Sequence, residues 1–436
     1  MGKNNHPVIQ LKIDDIPSKW YNCLPDLPEA IPPLKDSGRG ESEIERMKKI
    51  RPAVLIEQDT DERDRFIDIP GEVLERYVQI GRPTVLKRAV YLEKYLNTPA
   101  KIFFKREDML TMGSFKLNSS IPQAYYSKKE GRTHLVTETG AGQWGVAVAN
   151  AGKFYNLKST VFMAKCSYES KPYRQVLMRL FGTEVYPSPS GKTKAGRDML
   201  EKDPNHTGSI GSAISEAIEL STSISDAAYL SGSNLNHVLM HQSIIGQEVK
   251  KQMELIGEKA DELIACVSGG SNLGGLMLPF LPDKLGGDNL KFIAVESNAA
   301  PRLTKGEYRY DHGDPAGLTP LSMSYTLGMD YVPPAVHVGG LRQHSGSPLV
   351  GLLRKLGMID ARTYDQDEAF KAGRLFLETE GILPAPETCH TIAAVIESAV
   401  EAREKGISKN IVFCFSGNGF LDLHGYDDVL LKSKGI

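Results

Sequence analysis

The chain has 436 residues, which is long enough for two or three domains around a large core. Its formal net charge of −2 provides no bulk attraction to nucleic acid or to an anionic membrane, so we expect neither as a partner. No apolar run approaches the ~20 residues that span a bilayer, and residues 1–10 lack the apolar segment of a secretion signal. The five cysteines show no paired spacing, which is typical of reduced thiols. These features predict a cytoplasmic protein.

Residues 1–80 are predicted to form an N-terminal arm with short helices, because the stretch is rich in proline and charge. After residue 81, apolar β-rich runs alternate with helical stretches. The predicted strands cover residues 101–107, 133–138, 159–165, 183–189, 262–267, 292–297 and 410–415. The predicted helices include residues 114–131, 142–157 and 173–182.

This alternation of strands and helices indicates βαβ units and parallel sheets. We therefore expect an α/β fold with two open parallel-sheet domains and an N-terminal extension. The larger domain is predicted to comprise residues 81–130 and 225–425, and the smaller, mobile substrate domain residues 131–224. Functional loops should lie at the carboxyl ends of the strands.

Lys116 is a candidate nucleophilic amine on the first turn of a predicted helix. It follows a Gly-Ser pair and lies between Phe115 and Leu117. Apolar neighbours and the positive end of a helix lower the pKa of an amine, which suits imine formation with a carbonyl. The alternative is an ordinary solvated lysine.

Two turns that follow strands are candidate anion sites. The turn SGGSNLGG (268–275) opens a helix, and its amides suit a phosphate, although it lacks the GK[ST] ending of a P-loop. The turn at residues 139–145 has small residues whose amides converge on one anion. Glu138 precedes it and is poised for proton transfer. The alternatives are a tight strand–helix connection for the first turn and a helix-dipole partner for Glu138.

Three further side chains stand at notable positions. Ser416 follows the last predicted strand, where a neutral hydroxyl suits a pyridine nitrogen, or where it is simply a turn serine. His237 and His241 share one helical face at i and i+4, without a third metal ligand at useful spacing. We predict that these histidines are structural and that the chain has no metal site.

Pyridoxal phosphate chemistry requires an amine and two anion sites, which are the candidate groups named above. Together with their order, they resemble the tryptophan synthase β-chain family of fold-type II pyridoxal phosphate enzymes. The resemblance covers roughly residues 80–420. Its motifs are KREDMLTMGSFKLN (105–118), TETGAGQWGVA (137–147), SGGSN (268–272), LGMDY (327–331), EGILPAPETCH (380–390) and FSGNG (415–419).

The resemblance implies a role for each matching residue. Lys116 forms the Schiff base and carries the Cα proton, Glu138 is the acid–base residue, and Asp330 contacts the reacting side of serine. The implied substrate-carboxylate residues are Thr139, Gly140, Ala141, Gly142 and Gln143. The implied cofactor-binding residues, besides Lys116, are Asn118, Ser268, Gly269, Gly270, Ser271, Asn272, Glu380 and Ser416.

Departures from the commoner branch of the family indicate its second branch. Phe115 and Trp144 stand where the commoner branch has histidine, the arm is longer, and residues 336–349 differ. The arm is expected to cover the docking surface for the α subunit, so we expect a weak or transient complex and a homodimer. Arg342 and His344 are candidate ligands for the phosphate of O-phosphoserine.

The implied reaction is β-replacement, in which L-serine or O-phosphoserine and indole give L-tryptophan. A monovalent cation is a candidate additional ligand. The alternatives are a serine or threonine dehydratase or a threonine synthase, which share SGGSN-like loops but not TETGAGQ. A non-catalytic amino-acid or phosphate sensor is disfavoured, because it needs neither Lys116 nor Glu138.

Overall fold

The structure, a computed structural model, describes residues 8–432. The strands within this range are β1 (Val8–Ile9), β2 (Lys19–Tyr21), β3 (Phe66–Asp68), β4 (Leu86–Arg88), β5 (Lys101–Arg106), β6 (His134–Thr139), β7 (Lys158–Ala164), β8 (Glu184–Ser188), β9 (Ala227–Leu230), β10 (Glu262–Cys266), β11 (Lys291–Ser297), β12 (Glu307–Asp311), β13 (Ser322–Thr326), β14 (Ile359–Tyr364) and β15 (Asn410–Phe415).

The α-helices in the same range are α1 (Glu43–Ile50), α2 (Ala53–Thr60), α3 (Gly71–Gln79), α4 (Val90–Leu96), α5 (Leu117–Lys129), α6 (Gln143–Phe154), α7 (Lys165–Ser170), α8 (Pro172–Leu180), α9 (Lys194–Lys202), α10 (Ile210–Ser223), α11 (Asn236–Gln242), α12 (Ile244–Leu255), α13 (Ser271–Met277), α14 (Leu281–Leu285), α15 (Arg302–Lys305), α16 (Pro348–Lys355), α17 (Gln366–Glu380), α18 (Pro386–Lys405) and α19 (Leu423–Tyr426). Single 3₁₀ turns lie at Ile13–Asp15, Leu24–Asp26, Glu107–Met109, Thr111–Gly113, Leu278–Phe280 and Gly339–Leu341, and a π-turn at Asp427–Leu431.

The larger sheet has seven strands in the order β1-β4-β5-β15-β10-β11-β14. The strands from β5 to β14 run parallel, and β4 and β1 add an antiparallel edge. Because β5, β15 and β10 are parallel neighbours, their carboxyl ends meet at one edge of the sheet. The segments that carry Lys116, Ser416 and the turn at 268–272 therefore leave the sheet side by side.

The smaller sheet has four parallel strands in the order β8-β7-β6-β9. Strand β6 ends at Thr139, so the turn at 139–142 leads directly into α6. The hydrophobic faces of this sheet pack on α10 through Ile214 and Ile218 and on α6 through Val146 and Ala149. The expected α/β class with two parallel sheets is confirmed.

Several strands escaped the sequence analysis. Strand β4 has only three residues, and β9 has four. Strand β14 (IDARTY) alternates charged and apolar residues and is only partly buried, because it lies at the edge of the larger sheet. A short buried run and a polar edge strand both lack the long apolar signal that marked the central strands.

The N-terminal arm packs into the body of the protein. Trp20 is fully buried, and its ring centroid lies 4.4 Å from that of His241. The Asp59 carboxylate accepts a hydrogen bond from the His237 amide at 2.9 Å and lies 2.7 Å from His237 Nδ1. Arg51 pairs with the same carboxylate, and His237 together with Arg51 holds the pKa of Asp59 well below its usual range despite burial. Both histidines thus fasten α2 to α11 in the structure.

Within residues 8–432, no helix is both long enough and apolar enough to cross a bilayer. One trio in this range, His424, Asp427 and Asp428, brings possible metal-ligand atoms within 4.8 Å of one another. Lys432 already pairs with Asp427 at 2.9 Å and with Asp428 at 2.8 Å, so a bound cation would have to displace an ammonium group.

Candidate active site

A pocket lies where the carboxyl ends of the two sheets face each other. Twelve of the residues that the sequence analysis singled out line it. They are Lys116, Glu138, Thr139, Gly140, Ala141, Gln143, Ser268, Gly269, Gly270, Ser271, Asn272 and Ser416. The structure therefore gathers the amine, the carboxylate and both turns around one space, as parallel strands with neighbouring carboxyl ends require.

Lys116 presents its amine to this pocket from the start of α5. The residue is partly exposed, but burial of the amine lowers its pKa, opposed chiefly by the negative charge of Glu387. Nζ also lies 4.8 Å from the ring centroid of Phe115. A less basic amine is more often free of its proton, and this form attacks a carbonyl carbon.

Glu138 lies at the end of β6 and is only 4% exposed. Burial raises the pKa of its carboxyl group to about 7. The amide of Gly232 donates to Oε1 at 3.4 Å, and the hydroxyl of Tyr229 also donates to the carboxylate. These donors do not offset the loss of water, so near neutral pH the group can both give and accept a proton.

The turn after Glu138 is fixed by glycines and by Thr139. The hydroxyl oxygen of Thr139 accepts hydrogen bonds from the amides of Gly142 and Gly145, both at 3.2 Å. Gly142 has φ +96°, which favours glycine, and lies behind the pocket wall rather than in it. A Cβ on Gly140 would lie 2.4 Å from the carbonyl oxygen of Gly339. The backbone amides of the turn can therefore approach an anion closely.

Charged side chains hold this turn from behind. Arg174 Nη1 donates to the carbonyl of Ala141 at 2.7 Å, and its Nη2 pairs with Asp422 at 2.6 Å. Lys171 pairs with the other oxygen of Asp422. Asp422 follows the FSGNG motif, which leaves the larger sheet. Arg174 lies in α8 and Lys171 directly precedes that helix, so both belong to the part of the chain around the smaller sheet. These buried ion pairs therefore connect the turn after Glu138 with the segment that follows the FSGNG motif.

The turn at 268–272 has the features of a phosphate cradle. Gly270 has φ +136°, and a Cβ on Gly269 would lie 2.1 Å from Ser233 Oγ. Asn272 Nδ2 donates to the carbonyl of Cys266 at 3.2 Å, whereas its buried Oδ1 has no partner among the described residues. The close backbone approach that these glycines permit fits a phosphate-bearing cofactor. Asn272 Oδ1 is an acceptor and therefore cannot pair with the phosphate itself.

Ser416 lies at the end of β15, the strand beside β10, and also lines the pocket. Its hydroxyl is 2.8 Å from that of Thr388 and 3.8 Å from the sulfur of Cys266. Burial raises the pKa of the Cys266 thiol to about 11. The three groups therefore present a neutral polar surface, which suits a pyridine nitrogen without forcing it to hold a proton.

The acidic residue that lines the pocket from the 380–390 motif is Glu387 rather than the expected Glu380. Glu380 lies outside the pocket, where it accepts hydrogen bonds from the amides of Tyr91 and Leu92 at 2.9 and 3.0 Å. Glu387 lies in the first turn of α18, and its Oε1 accepts a hydrogen bond from the Gly340 amide at 2.8 Å. Both glutamates belong to one motif, so spacing alone did not distinguish them.

Two other expected contacts also lie outside the pocket lining. Asn118 is fully buried below it, where its side chain accepts from Arg82 at 2.9 Å and donates to Glu107 at 3.0 Å. Asp330 is exposed on the loop after β13. Neither position touches the pocket, because the first side chain points into the core and the second towards solvent.

The two candidate phosphate ligands of the 336–349 segment are directed elsewhere. The guanidinium of Arg342 donates to the carbonyls of Pro333 and Pro334, both at 2.7 Å. His344 Nε2 lies 2.9 Å from the carbonyl of His312. The expectation that Arg342 and His344 reach a substrate phosphate is therefore wrong. Gln343, which lies between them, does line the pocket.

The sequence analysis also missed pocket residues outside the recognised motifs. Ser233 and Gln343 line the pocket from loops whose sequences carry no strong pattern. The two departures from the commoner branch, Phe115 and Trp144, line it as well. Trp144 Nε1 donates to the hydroxyl of Thr137 at 2.7 Å, which fixes the ring against Gly232.

Comparison with known proteins places this site in a family. Residues 78–417 match the family described as "Pyridoxal-phosphate dependent enzyme". The chain is 52% identical to "Tryptophan synthase beta chain 2" of Thermotoga maritima, over 96% of this chain and 99% of the relative. It is 51% identical to the protein of the same name from Methanothermobacter thermautotrophicus, over 97% and 98% of the two chains.

Two solved structures share the fold at low sequence identity. A threonine deaminase from T.th. has a TM-score of 0.56 at 19% identity, over 80% of this chain and 97% of that one. A fungal L-serine ammonia-lyase from Rhizomucor miehei has a TM-score of 0.59 at 18% identity, over 81% and 98% of the two chains. At this identity the likeness concerns the arrangement of sheets and helices alone.

Proposed function

The chain belongs to the tryptophan synthase β-chain family of pyridoxal-phosphate dependent enzymes, and we propose that it joins L-serine to indole to give L-tryptophan and water. One observation carries the proposal beyond the family. Glu138, whose pKa is raised to about 7, lines the same pocket as Lys116 and the anion turn at 139–143. A lyase that expels hydroxide needs an acid at that place.

The residues present fit the cofactor. The amides of residues 269–272 would hold its phosphate, Ser416 would face its ring nitrogen, and Lys116 Nζ would hold its carbonyl carbon. When bound, pyridoxal phosphate supplies an electrophilic carbon and a ring that accepts the electron pair of the substrate's Cα–H bond.

The substrate-side turn would place the amino acid. The amides of Gly140, Ala141 and Gln143 would bind the carboxylate of serine, which fixes the Cα–H bond relative to Lys116. Released from the cofactor, the amine of Lys116 would accept the Cα proton. Its lowered pKa suits this step, because an amine must have lost its own proton before it can accept another.

Glu138 would then act twice in one turnover. Its protonated carboxyl group would give a proton to the departing hydroxyl oxygen, so that water leaves instead of hydroxide. The carboxylate that remains would accept the proton that indole loses on addition at Cβ. A pKa near 7 leaves both forms populated at neutral pH, so neither step requires a rare protonation state.

A neutral partner at the ring nitrogen would favour loss of the group at Cβ, which replacement requires, over side reactions that keep the electrons at Cα. An anionic partner would keep the ring nitrogen protonated and strengthen its hold on electrons at Cα. Ser416, Thr388 and Cys266 carry no negative charge, so electrons return more readily to expel the group at Cβ.

The proposal also includes a location and partners. All five cysteines are free thiols, which supports a reducing compartment such as the cytoplasm. The arm, anchored through Trp20 and Asp59, supports a weak or transient complex with an α subunit, because its ordered packing adds surface that such a partner would have to accommodate. A homodimer is the expected assembly.

A direct assay tests the function. The purified protein, loaded with pyridoxal 5′-phosphate, is incubated with L-serine or O-phosphoserine, with and without indole, and products are separated by chromatography. We expect tryptophan only when indole is present, and none from a Lys116→Ala variant that retains the wild-type circular dichroism spectrum. Release of pyruvate and ammonia at the same rate with and without indole would indicate a dehydratase instead.

A further inference from the structure

Gln343 carries a buried amide whose donor group has no partner. The side chain is 2% exposed and lines the pocket. Its Oε1 accepts long hydrogen bonds from the hydroxyls of Ser233 and Ser268, both at 3.4 Å. Its Nε2 has no hydrogen-bond partner within residues 8–432. A buried donor left unpaired is costly, which points to a ligand that accepts its hydrogen bond.

The surroundings of Gln343 belong to the glycine turn. Ser268 begins that turn, and the hydroxyl of Ser233 lies directly against Gly269, where no Cβ would fit. The amide of Ser347 donates to the carbonyl of Gly269 at 2.6 Å. The segment 343–347 therefore wraps around the same turn whose amides are arranged for an anion.

A buried cation lies behind the turn. Arg302 is 1% exposed, and its Nη2 donates to the carbonyl of Ser268. Its Nη1 has no hydrogen-bond partner in the part of the chain that the structure describes. The buried Glu296 carboxyl group supplies an opposing charge to this guanidinium, so Arg302 holds the carbonyl of Ser268 in place from behind the turn.

We propose that Gln343 Nε2, flanked by the hydroxyls of Ser233 and Ser268, donates a hydrogen bond to a phosphate monoester bound in the pocket. This inference rests on the proposed function and deepens it. Two phosphate monoesters have the required chemistry, namely the cofactor and O-phosphoserine. Gln343 is then a binding residue that sets the preference for phosphorylated ligands.

The test uses the full chain with Gln343 changed to Met or to Glu. Methionine keeps the volume but removes the donor, and glutamate adds a negative charge that repels phosphate. Gln175→Met is the matched control, because Gln175 is a 7% exposed amide that lies outside the pocket lining. Binding of pyridoxal 5′-phosphate and of pyridoxal, which lacks the phosphate, is followed by the fluorescence of Trp144, which lines the pocket.

The two phosphate sources give different results. If the cofactor is the partner, Gln343→Met raises the Kd of pyridoxal 5′-phosphate about ten- to a hundredfold, as expected for one hydrogen bond to a charged group, and leaves pyridoxal unchanged. If the substrate is the partner, the cofactor Kd stays constant and the KM of O-phosphoserine rises relative to that of L-serine. Gln343→Glu raises the Kd or KM of that same ligand further, and Gln175→Met changes neither value.

Either result supports a phosphate contact. The proposal would be overturned if neither the Kd of pyridoxal 5′-phosphate nor the KM of O-phosphoserine changed. Equal weakening of pyridoxal and pyridoxal 5′-phosphate binding would also overturn it, because that result indicates general distortion of the site. The binding measurements with pyridoxal 5′-phosphate and pyridoxal need neither serine nor indole. A wild-type protein that binds the cofactor but forms no tryptophan would therefore refute the proposed function while leaving this contact testable.

Discussion

Changing Glu138 to Gln should remove a proton that the folded protein holds near neutral pH. Burial raises the pKa of this carboxyl group from its usual 4.5 to about 7. In infrared difference spectra of the wild type minus the variant, we expect a carboxylic-acid band that disappears with a midpoint near pH 7. Gln keeps the shape of the side chain, so the other local changes concern its contacts with Gly232, Tyr229 and Thr137.

The raised pKa of Glu138 also determines how this residue changes the free energy of unfolding with pH. Between the two pKa values the folded protein binds more protons than the unfolded chain, so Glu138 is harmless in acid and destabilises progressively as the pH rises through 7. Between pH 5 and pH 8 this term amounts to about 2.5 kcal/mol. The Gln variant lacks the term, so its stability relative to wild type should improve by about that amount over the same interval.

Urea unfolding of the cofactor-free proteins at the two pH values measures this difference. A hydrogen bond that Gln makes poorly costs the same at both pH values and cancels. Lys116 faces the same pocket, so the measurement is repeated in a Lys116→Ala background, where the difference should persist. An infrared midpoint below pH 5.5, or a pH-independent difference in stability, would show that Glu138 is an ordinary carboxylate and remove the basis for its role as an acid.

Three further predictions concern the cofactor ring, the substrate turn and the arm. Ser416→Asp should shift the absorption of the bound cofactor and raise side reactions of serine at Cα relative to tryptophan formation, as measured by exchange of the Cα proton with deuterium; an unchanged ratio would show that Ser416 does not face the ring. Asp422→Asn should raise the KM for serine more than it lowers kcat, because Arg174 loses its partner and holds Ala141 less firmly, and should lower the melting temperature; a change in kcat alone would contradict this. An α subunit of the same family should not co-elute stably in size-exclusion chromatography at low micromolar concentration, and a persistent complex would show that the arm leaves the docking surface free.

The general arrangement of the site was predictable because parallel strands place their carboxyl ends together. Once the strands ending near Arg106, Cys266 and Phe415 are taken as parallel neighbours, the loops that follow them have to meet. The turn after Thr139 leaves the smaller sheet, so its approach to them depends on how the two sheets face each other. The central strands are long and apolar on both faces, which makes them recognisable without the structure. The same reasoning gives no information on Gln343, which reaches the pocket from a loop with no strand before it.

The individual contacts were less predictable, because a motif can match a family for reasons other than ligand contact. Glu380 and Glu387 occupy one motif, yet the first caps α4 through the amides of Tyr91 and Leu92 and only the second faces the pocket. The end of α17 and the start of α18 lie a few residues apart, and the direction of each side chain depends on how the two helices pack. The spacing of the two glutamates along the chain gives no information on how these helices pack.

Asn118 shows how such a motif residue can serve the site without touching a ligand. Its side chain joins a fully buried network in which Arg82 pairs with Glu107 at 2.6 Å and with Glu248 at 2.7 Å. Lys105 pairs with Glu248 at 2.6 Å. Removing one member of a buried ion pair leaves an uncompensated charge, which typically costs about 3–5 kcal/mol. Because this network joins the end of β5 to the first turn of α5, it holds the helix that presents Lys116, and that support explains Lys105 and Glu107 of the motif.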